Sequence, residues 1–217
     1  MNGFTVPQIF LNLVIAAKWT IILSIIAFVV GGIVGFLLLL MRISPNKWIK
    51  GLSLIYIEFF QGTPLLLQLF LAFFGTSVVF GINLSPLVAA TIALTAFTSS
   101  FLADIWRGSI EAVPAGQWEA ASALGFGYSK QLELIVLPQA FKMSIAPTVG
   151  FLVQVIKGTS LASVIGFAEV SRVASEINNV TLNSLLVFSI AGLIYFALCY
   201  PLSLWSQRLE KQLNYKS

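Results

Sequence analysis

An acidic side chain lies inside a long apolar segment of this 217-residue chain. Glu58 is the single charged residue in the run 52–80. Placing a carboxylate at membrane depth is costly, so such a residue marks a functional site or a paired structural charge. Glu58 is therefore either a counter-ion for a ligand ammonium or guanidinium, or a structural partner of Arg42 or Arg107 near the membrane boundary, or a side chain that snorkels to the interface.

A Gly-Thr-Pro tripeptide, which begins four residues after Glu58, interrupts the same apolar run. Its proline cannot donate a helical hydrogen bond and its glycine loosens the turn, which predicts a hinge or a stretch of open backbone lining a cavity. An ordinary kink is the alternative, and the leucines that follow would form an apolar gate. The candidate residues are Gln61 and Thr63 for ligand binding, and Gly62, Pro64, Leu65 and Leu67 for the hinge and gate.

A second polar group ends a later apolar run. Gln154, Thr159 and Ser160 flank Lys157 there. In some membrane proteins, amide, hydroxyl and freed backbone groups at the end of a broken helix bind carboxylates. The alternative is a helix C-terminus whose polar groups are bonded to its own backbone.

The composition excludes several kinds of chemistry. Hydrophobic residues make up 58% of the chain and charged residues 9%, against about 25% charged in a soluble domain, which indicates an integral membrane protein. The chain has no histidine and one cysteine, Cys199, so it offers no histidine-based zinc, haem or triad site and no disulfide. Its basic residues are not interleaved with stacking aromatics, which excludes nucleic acid as a partner.

Apolar windows long enough for a membrane crossing predict a single domain over 1–217 with an all-α fold. The five predicted spans are 19–41, 52–80, 86–106, 134–156 and 180–207. The third span is expected to end at the charges Asp104 and Arg107, which would pair at one turn's spacing at the cytosolic edge. The apolar piece 160–168 is too short to cross, and we interpret it as interfacial or re-entrant.

Lysine and arginine placement predicts the orientation of the chain. Nine basic residues fall on one side of the predicted topology and three on the other, which favours an outer N-terminus and a cytosolic C-terminus. The nine are Arg42, Lys47, Lys50, Arg107, Lys130, Lys142, Arg208, Lys211 and Lys216, and the three are Lys18, Lys157 and Arg172.

The polar connection 107–133 between spans three and four would then face the cytosol. It is too long for a simple connection and predicts two short helices. The first follows a break at 114–116, runs over 117–124 with Glu119 in its first turn, and ends at Gly125 in a left-handed conformation. A second runs from about Ser129, with Pro138 starting the next span. The alanine-rich first helix would dock into a groove of a partner, with Trp118 and Leu124 as apolar anchors.

Residues of this connection carry a family resemblance. Glu119-Ala120-Ala121, then Gly125, then Ile135, Leu137 and Pro138 match the EAA loop of ATP-binding-cassette (ABC) importer permeases, and the chain resembles their polar-amino-acid branch over most of its length. Supporting segments are 62–66, 107–108, 113–118, 137–140 and 157–161. Two departures are Gln61, where the family usually has arginine, and Gly158, where an acidic residue is common.

The resemblance implies a type I ABC importer permease fold in a bacterial inner membrane. It implies that two cytosolic ATPase subunits dock on the coupling loop, through Trp118, Glu119, Ala120, Ala121, Leu124 and Gly125. It also implies a second permease copy, expected as a homodimer, and an extracytoplasmic amino-acid-binding protein. The chain lacks a phosphate-binding loop, so it is expected to be non-catalytic and to bind no cofactor, with ATP and Mg²⁺ on the partner ATPase.

Glu58 without the usual arginine at position 61 makes the local field more negative than is typical of the branch. This predicts a cationic substrate, namely arginine, lysine or histidine. Two other classes are weighed against the ATP-driven importer. An ion-gradient-driven secondary transporter is disfavoured by five spans without an inverted repeat, and a non-transporting scaffold is disfavoured by Glu58 and the kinked spans.

Overall fold

The computed structural model describes residues 5–214, and every regular element in that range is helical. Two helices contain a π-turn, at Leu71–Gly75 and Leu132–Val136, and the second of them ends in a 3-10 segment, Thr159–Ile165. In chain order the elements are α1 Val6–Arg42, α2 Lys47–Gly62, α3 Leu65–Phe80, α4 Pro86–Glu111, α5 Ala115–Ala123, α6 Tyr128–Ile165, α7 Val170–Thr181 and α8 Ser184–Asn214.

Four of these helices are long and apolar enough to cross a membrane, namely α1, α4, α6 and α8. The pair α2 and α3 also passes this test together but is bent by 104° at its junction. With the bent pair taken as one crossing, the chain has the five crossings that its hydropathy predicts. The predicted all-helical membrane architecture is confirmed.

The first helix is longer than predicted, because it begins at Val6 and not near residue 19. Its 37 residues span about 55 Å at ~1.5 Å each, well beyond the ~30 Å of a hydrocarbon core. The added turns bury Ile9 and Leu13 against α7 and α8. Lys18, which marked the predicted boundary, lies within the helix with its ammonium 5.6 Å from the ring centre of Trp19.

Glycines in α1 allow it to approach α4 closely. A Cβ at Gly31 would lie 2.7 Å from Cβ and Cγ2 of Thr98, and one at Gly35 would lie 3.0 Å from the carbonyl oxygen of Ser99. A Cβ at Gly32 would meet no atom nearer than 3.9 Å. Two of the three clustered glycines are therefore required by the helix–helix contact.

The third span extends beyond its predicted end at 106. Arg107 bonds to Asp104 at 3.0 Å and to Glu111 at 2.6 Å, both on its own helix. Pairs at these spacings stabilise a helix. The charges that suggested a helix end instead extend α4 to Glu111, and the predicted pairing of Asp104 with Arg107 is confirmed.

The fourth span is also longer than predicted, since α6 runs without interruption from Tyr128 to Ile165. Pro138 lies inside it and does not start it. A π-turn at Leu132–Val136 directly precedes this proline, and its wider hydrogen-bond spacing accommodates a residue without an amide donor. The re-entrant interpretation of 160–168 is wrong, because Thr159–Ile165 continues α6 up to Gly166 at φ +89°.

The helix α7 was not predicted and occupies the start of the predicted fifth span, so that α8 begins at Ser184 instead of 180. Its buried residues Val170, Ala174 and Ile177 recur at helical spacing and pack on α1 and α8. That spacing in the sequence is the signal that could have identified α7. Leu182, in a left-handed conformation at φ 52°, separates α7 from α8.

Candidate functional site

The second crossing breaks at the predicted tripeptide. The helix α2 ends at Gly62, Thr63 and Pro64 are extended, and α3 starts at Leu65. The change in direction of 104° is far larger than an ordinary proline kink. The predicted interruption at 62–64 is therefore present as a break between two helices.

A buried glutamine that sequence reasoning missed, Gln68, forms hydrogen bonds across this break. Nε2 of Gln68 donates to the carbonyl oxygens of Phe60 at 2.8 Å and of Thr63 at 3.1 Å. Gln68 is 5% exposed, and its Oε1 has no hydrogen-bond partner among the described residues. The side chain thus satisfies carbonyls at the end of α2, which no helical amide reaches. An amide within the apolar run 65–74 was the available signal.

Glu58 lies one turn before the break and is exposed on α2. It forms no ion pair among the residues that the structure describes, and Arg107 is bonded to acids of its own helix. The structural pairing of Glu58 with Arg107 is therefore not supported. Nε2 of Gln61 donates to the carbonyl oxygen of Ser100 at 3.1 Å, which ties the last turn of α2 to α4.

The break and the end of α6 lie side by side. Leu65 is buried, and its Cδ2 would lie 3.1 Å from a Cβ at position 158, so Gly158 allows this contact. Gln154 is exposed. The hydroxyls of Thr159 and Ser160 both donate, at 2.7 Å, to carbonyls three residues earlier. These two hydroxyls are thus bonded to their own helix, as the alternative interpretation requires.

The gate candidates Leu65 and Leu67 differ in their surroundings. Leu65 belongs to the core formed by α1, α3, α4 and α6, whereas Leu67 is 46% exposed. A gating side chain must be able to reach the pathway, so Leu67 is the candidate that this geometry favours. Leu65 instead fixes α3 against Gly158.

The helix α5 in the connection 112–127 has a well-defined C-terminus. Gly125 has φ +77°, its amide donates to the carbonyl of Ser122 at 2.9 Å, and the amide of Phe126 donates to that of Ala121 at 3.1 Å. This is a Schellman motif, and the predicted left-handed glycine is confirmed. The predicted start of this helix at 117 was wrong, because α5 begins at 115 and Glu119 therefore lies beyond its first turn.

One face of α5 is attached to its own chain and the other is free. Ala121 is 1% exposed, and Trp118 is half-buried and stacks on Tyr128 with ring centroids 5.9 Å apart. Glu119 and Ala120 are exposed, and Leu124 is 72% exposed. Of the two expected apolar anchors, only Leu124 projects outward, because Trp118 packs onto α6.

A buried carboxylate outside the predicted sites caps α7. Glu169 is fully buried and accepts hydrogen bonds from the amide of Arg172 at 2.9 Å and from the hydroxyl of Tyr195. Burial raises the pKa of Glu169, while these hydrogen bonds oppose the shift. The residue was missed because it lies in a short loop between spans. No cluster of acidic and cysteine ligands able to hold a metal occurs within 5–214.

Comparisons with known proteins agree with this architecture. The model of the family described as binding-protein-dependent transport system inner membrane component matches residues 27–215. The L-cystine transport system permease protein TcyB of Bacillus subtilis is 38% identical, over 90% of this chain and 84% of that protein. The arginine transport system permease protein ArtQ of the same organism is 34% identical, over 96% and 94%.

Solved structures show the same fold. A crystal structure of an amino acid ABC transporter with histidines has a chain that is 33% identical, with a TM-score of 0.86 and 94% of each chain covered. The methionine ABC transporter MetNI, in an inward-facing conformation, is 19% identical with a TM-score of 0.69, which supports the fold alone.

This chain belongs to the family of binding-protein-dependent transport system inner membrane components. Within it, the chain is a permease subunit of an amino acid ABC importer, with the type I importer permease fold. It is a transport component and not a catalytic subunit. The family implies ATPase and binding-protein partners, and it favours the ATP-driven class over a gradient-driven transporter.

Proposed function

We propose that this permease imports a cationic amino acid and that Glu58 is the counter-ion for its side chain. The observation that carries this proposal is an exposed carboxylate, without an ion-pair partner among the described residues, one turn from the break between α2 and α3. The cationic amino acid named for the ArtQ relative is in keeping with this substrate class.

Uptake by proteoliposomes that contain the complete importer tests the substrate class. We expect Glu58→Gln to lower arginine uptake about tenfold or more, since a hydrogen bond to a charged group contributes about 1.5–3 kcal/mol. Glutamine uptake, if present, should not change. Glu210→Gln, which alters an exposed acid at the far end of α8, is the matched control. Unchanged arginine affinity in Glu58→Gln would show that the proposed counter-ion is wrong.

ATP-driven movement would enter through α5. Two cytosolic ATPase subunits, which bind ATP and Mg²⁺, would dock on the exposed face formed by Glu119, Ala120 and Leu124 in each of two identical permease copies. The Schellman end and the Trp118–Tyr128 stack attach α5 to α6, so a push on the loop would reach the membrane helices. This arrangement requires a cytosolic loop, an outer N-terminus and a cytosolic C-terminus.

Co-purification tests the docking surface. We expect Gly125→Asp to abolish ATPase binding, because a charged side chain would project beside Leu124. Aspartate tolerates the left-handed conformation better than most residues, so the helix end should persist. Membrane insertion should be unchanged. Recovery of a normal complex with the ATPase would exclude docking at this end of α5.

A further inference from the structure

An apolar groove of about 790 Å³ lies between α1, α4 and α6, away from the break in the second crossing. Its walls include Ile33 and Leu37 of α1, Trp106 of α4, and Phe141 of α6. The polar groups that line it are already bonded. The hydroxyl of Ser144 donates to its own helix at 2.8 Å, and the indole of Trp106 donates to Thr148 Oγ1 at 3.0 Å. The groove therefore suits a hydrocarbon chain better than a polar solute.

A recess of about 880 Å³ with charged side chains in its lining adjoins this groove, and Ile110 and Leu137 line both. Arg42, at the end of α1, and Lys50, in the first turn of α2, line the recess. Neither forms an ion pair among the described residues. Helix ends of this kind lie near the membrane boundary, so the recess is placed where a lipid headgroup would be.

Charge in the recess favours an anion. Arg107 also lines it but is bonded to Asp104 and Glu111, and Glu133 lines it without an ion-pair partner in the described part of the chain. Five charged groups line the recess, the cations Arg42, Lys50 and Arg107 and the carboxylates Glu111 and Glu133, so the lining carries one net positive charge. Basic pockets between membrane helices bind anionic lipid headgroups.

We propose that the groove and the recess together bind one anionic phospholipid. An acyl chain lies along α1 and α6, and the phosphate contacts Arg42 and Lys50. A free phosphate would leave the apolar groove empty, and a lipid with no net charge would be attracted less strongly by the two cations. The two cavities meet at Ile110 and Leu137, just as the headgroup and the acyl chains meet within one lipid molecule.

Native mass spectrometry of the purified full-length chain, titrated with phosphatidylglycerol or phosphatidylcholine, tests this site. We expect Arg42→Gln/Lys50→Gln to weaken phosphatidylglycerol binding about thirtyfold, from ~1 kcal/mol for each charge at 1.4 kcal/mol per tenfold. Phosphatidylcholine, which carries the same phosphate but also a choline cation and therefore no net charge, should bind the unaltered chain more weakly and should lose less in the double variant. Lys47→Gln is the matched control, since Lys47 is exposed on α2 and lines neither cavity.

A groove-filling variant tests the acyl-chain part separately. Gly32 lines the groove, and an added Cβ there meets no atom nearer than 3.9 Å, so Gly32→Ile should fold and weaken both lipids. If Gly32→Ile does not fold, Gly32→Ala is the second variant, and it should weaken the binding of both lipids by a smaller factor. Three results would overturn the proposal: equal binding of both lipids to the unaltered chain, unchanged phosphatidylglycerol binding in the double variant, and disulfide-linked dimers formed through Ile33→Cys in a Cys199→Ala background. The last result would mean that a second copy covers the groove.

Discussion

The close approach of α1 to α4 makes a sharp prediction at adjacent glycines. Alanine at position 31 would place its Cβ 2.7 Å from two carbon atoms of Thr98 and 3.3 Å from the carbonyl oxygen of Thr95, so the helices must separate. The same change at Gly32 creates only ordinary contacts at 3.9 Å. The two variants share the gain in helix propensity on replacing glycine, which cancels in their comparison.

The expected magnitude follows from overpacking. Forcing a methyl group into a filled contact costs about 1–3 kcal/mol, whereas a substitution that meets open space changes stability by about 0.5 kcal/mol or less. A chain of this length loses roughly 2–4 °C of melting temperature per kcal/mol, so Gly31→Ala should melt about 2–12 °C below Gly32→Ala. Thermal unfolding in detergent, followed by tryptophan fluorescence, measures this difference.

A double-mutant cycle identifies the atoms responsible. Thr98→Ala removes Cγ2, one of the two colliding carbons, and leaves Cβ in place. The buried Oγ1 of Thr98 has no hydrogen-bond partner in the described part of the chain, so its removal strands no polar partner. Gly31→Ala/Thr98→Ala should therefore recover part of the lost stability. Equal melting of Gly31→Ala and Gly32→Ala would refute the steric argument.

Three further predictions concern the break, the loop and the buried acid. Gln68→Leu leaves two carbonyls unsatisfied and should lower the free energy of unfolding by about 1–3 kcal/mol. Gln154 is exposed, so Gln154→Leu should have little effect. Chemical denaturation in detergent compares the two variants. Gly125 has φ +77°, so Gly125→Ala should disfavour the left-handed end of α5 by ~1–2 kcal/mol and weaken the ATPase complex about five- to thirtyfold. Gly127 has φ −69°, so Gly127→Ala should leave the complex unchanged. Binding titrations compare the two variants. Glu169 has a raised pKa, so its contribution to stability is complete below the ordinary glutamate pKa and is lost as pH rises through the raised value. Glu169→Gln should therefore flatten the dependence of melting temperature on pH over this pH range.

Each of these three predictions has a result that contradicts it. Equal denaturation of the two glutamine variants would mean that Gln68 does not hold the break. Equal weakening by both glycine variants would point to loop composition and not to the left-handed conformation at Gly125. A pH profile that Glu169→Gln leaves unaltered would place the pH dependence on another group.

Local sequence patterns determined the membrane class, the break at 62–64, the left-handed Gly125 and the Asp104–Arg107 pair. Each depends on forces that act over a few residues: the transfer of apolar side chains into lipid, the missing amide of proline, the absent Cβ of glycine, and attraction between charges one helical turn apart. The same local reasoning ended α4 at 106 and started α1 near 19, because charge was taken as a stop signal.

Tertiary contacts decided what those patterns could not. Gln68 holds the broken crossing only because α3 folds back at 104° and brings its amide to the end of α2. Trp118 was expected to face a partner but stacks on Tyr128, ten residues later in the chain. Glu169 accepts a hydrogen bond from Tyr195 of α8, and the amide of the next residue bonds to Thr20 of α1, so helices distant in sequence fix its position. In a chain so uniformly apolar, hydrophobicity places a residue in the membrane but does not choose its neighbour, and close packing between helices makes that choice.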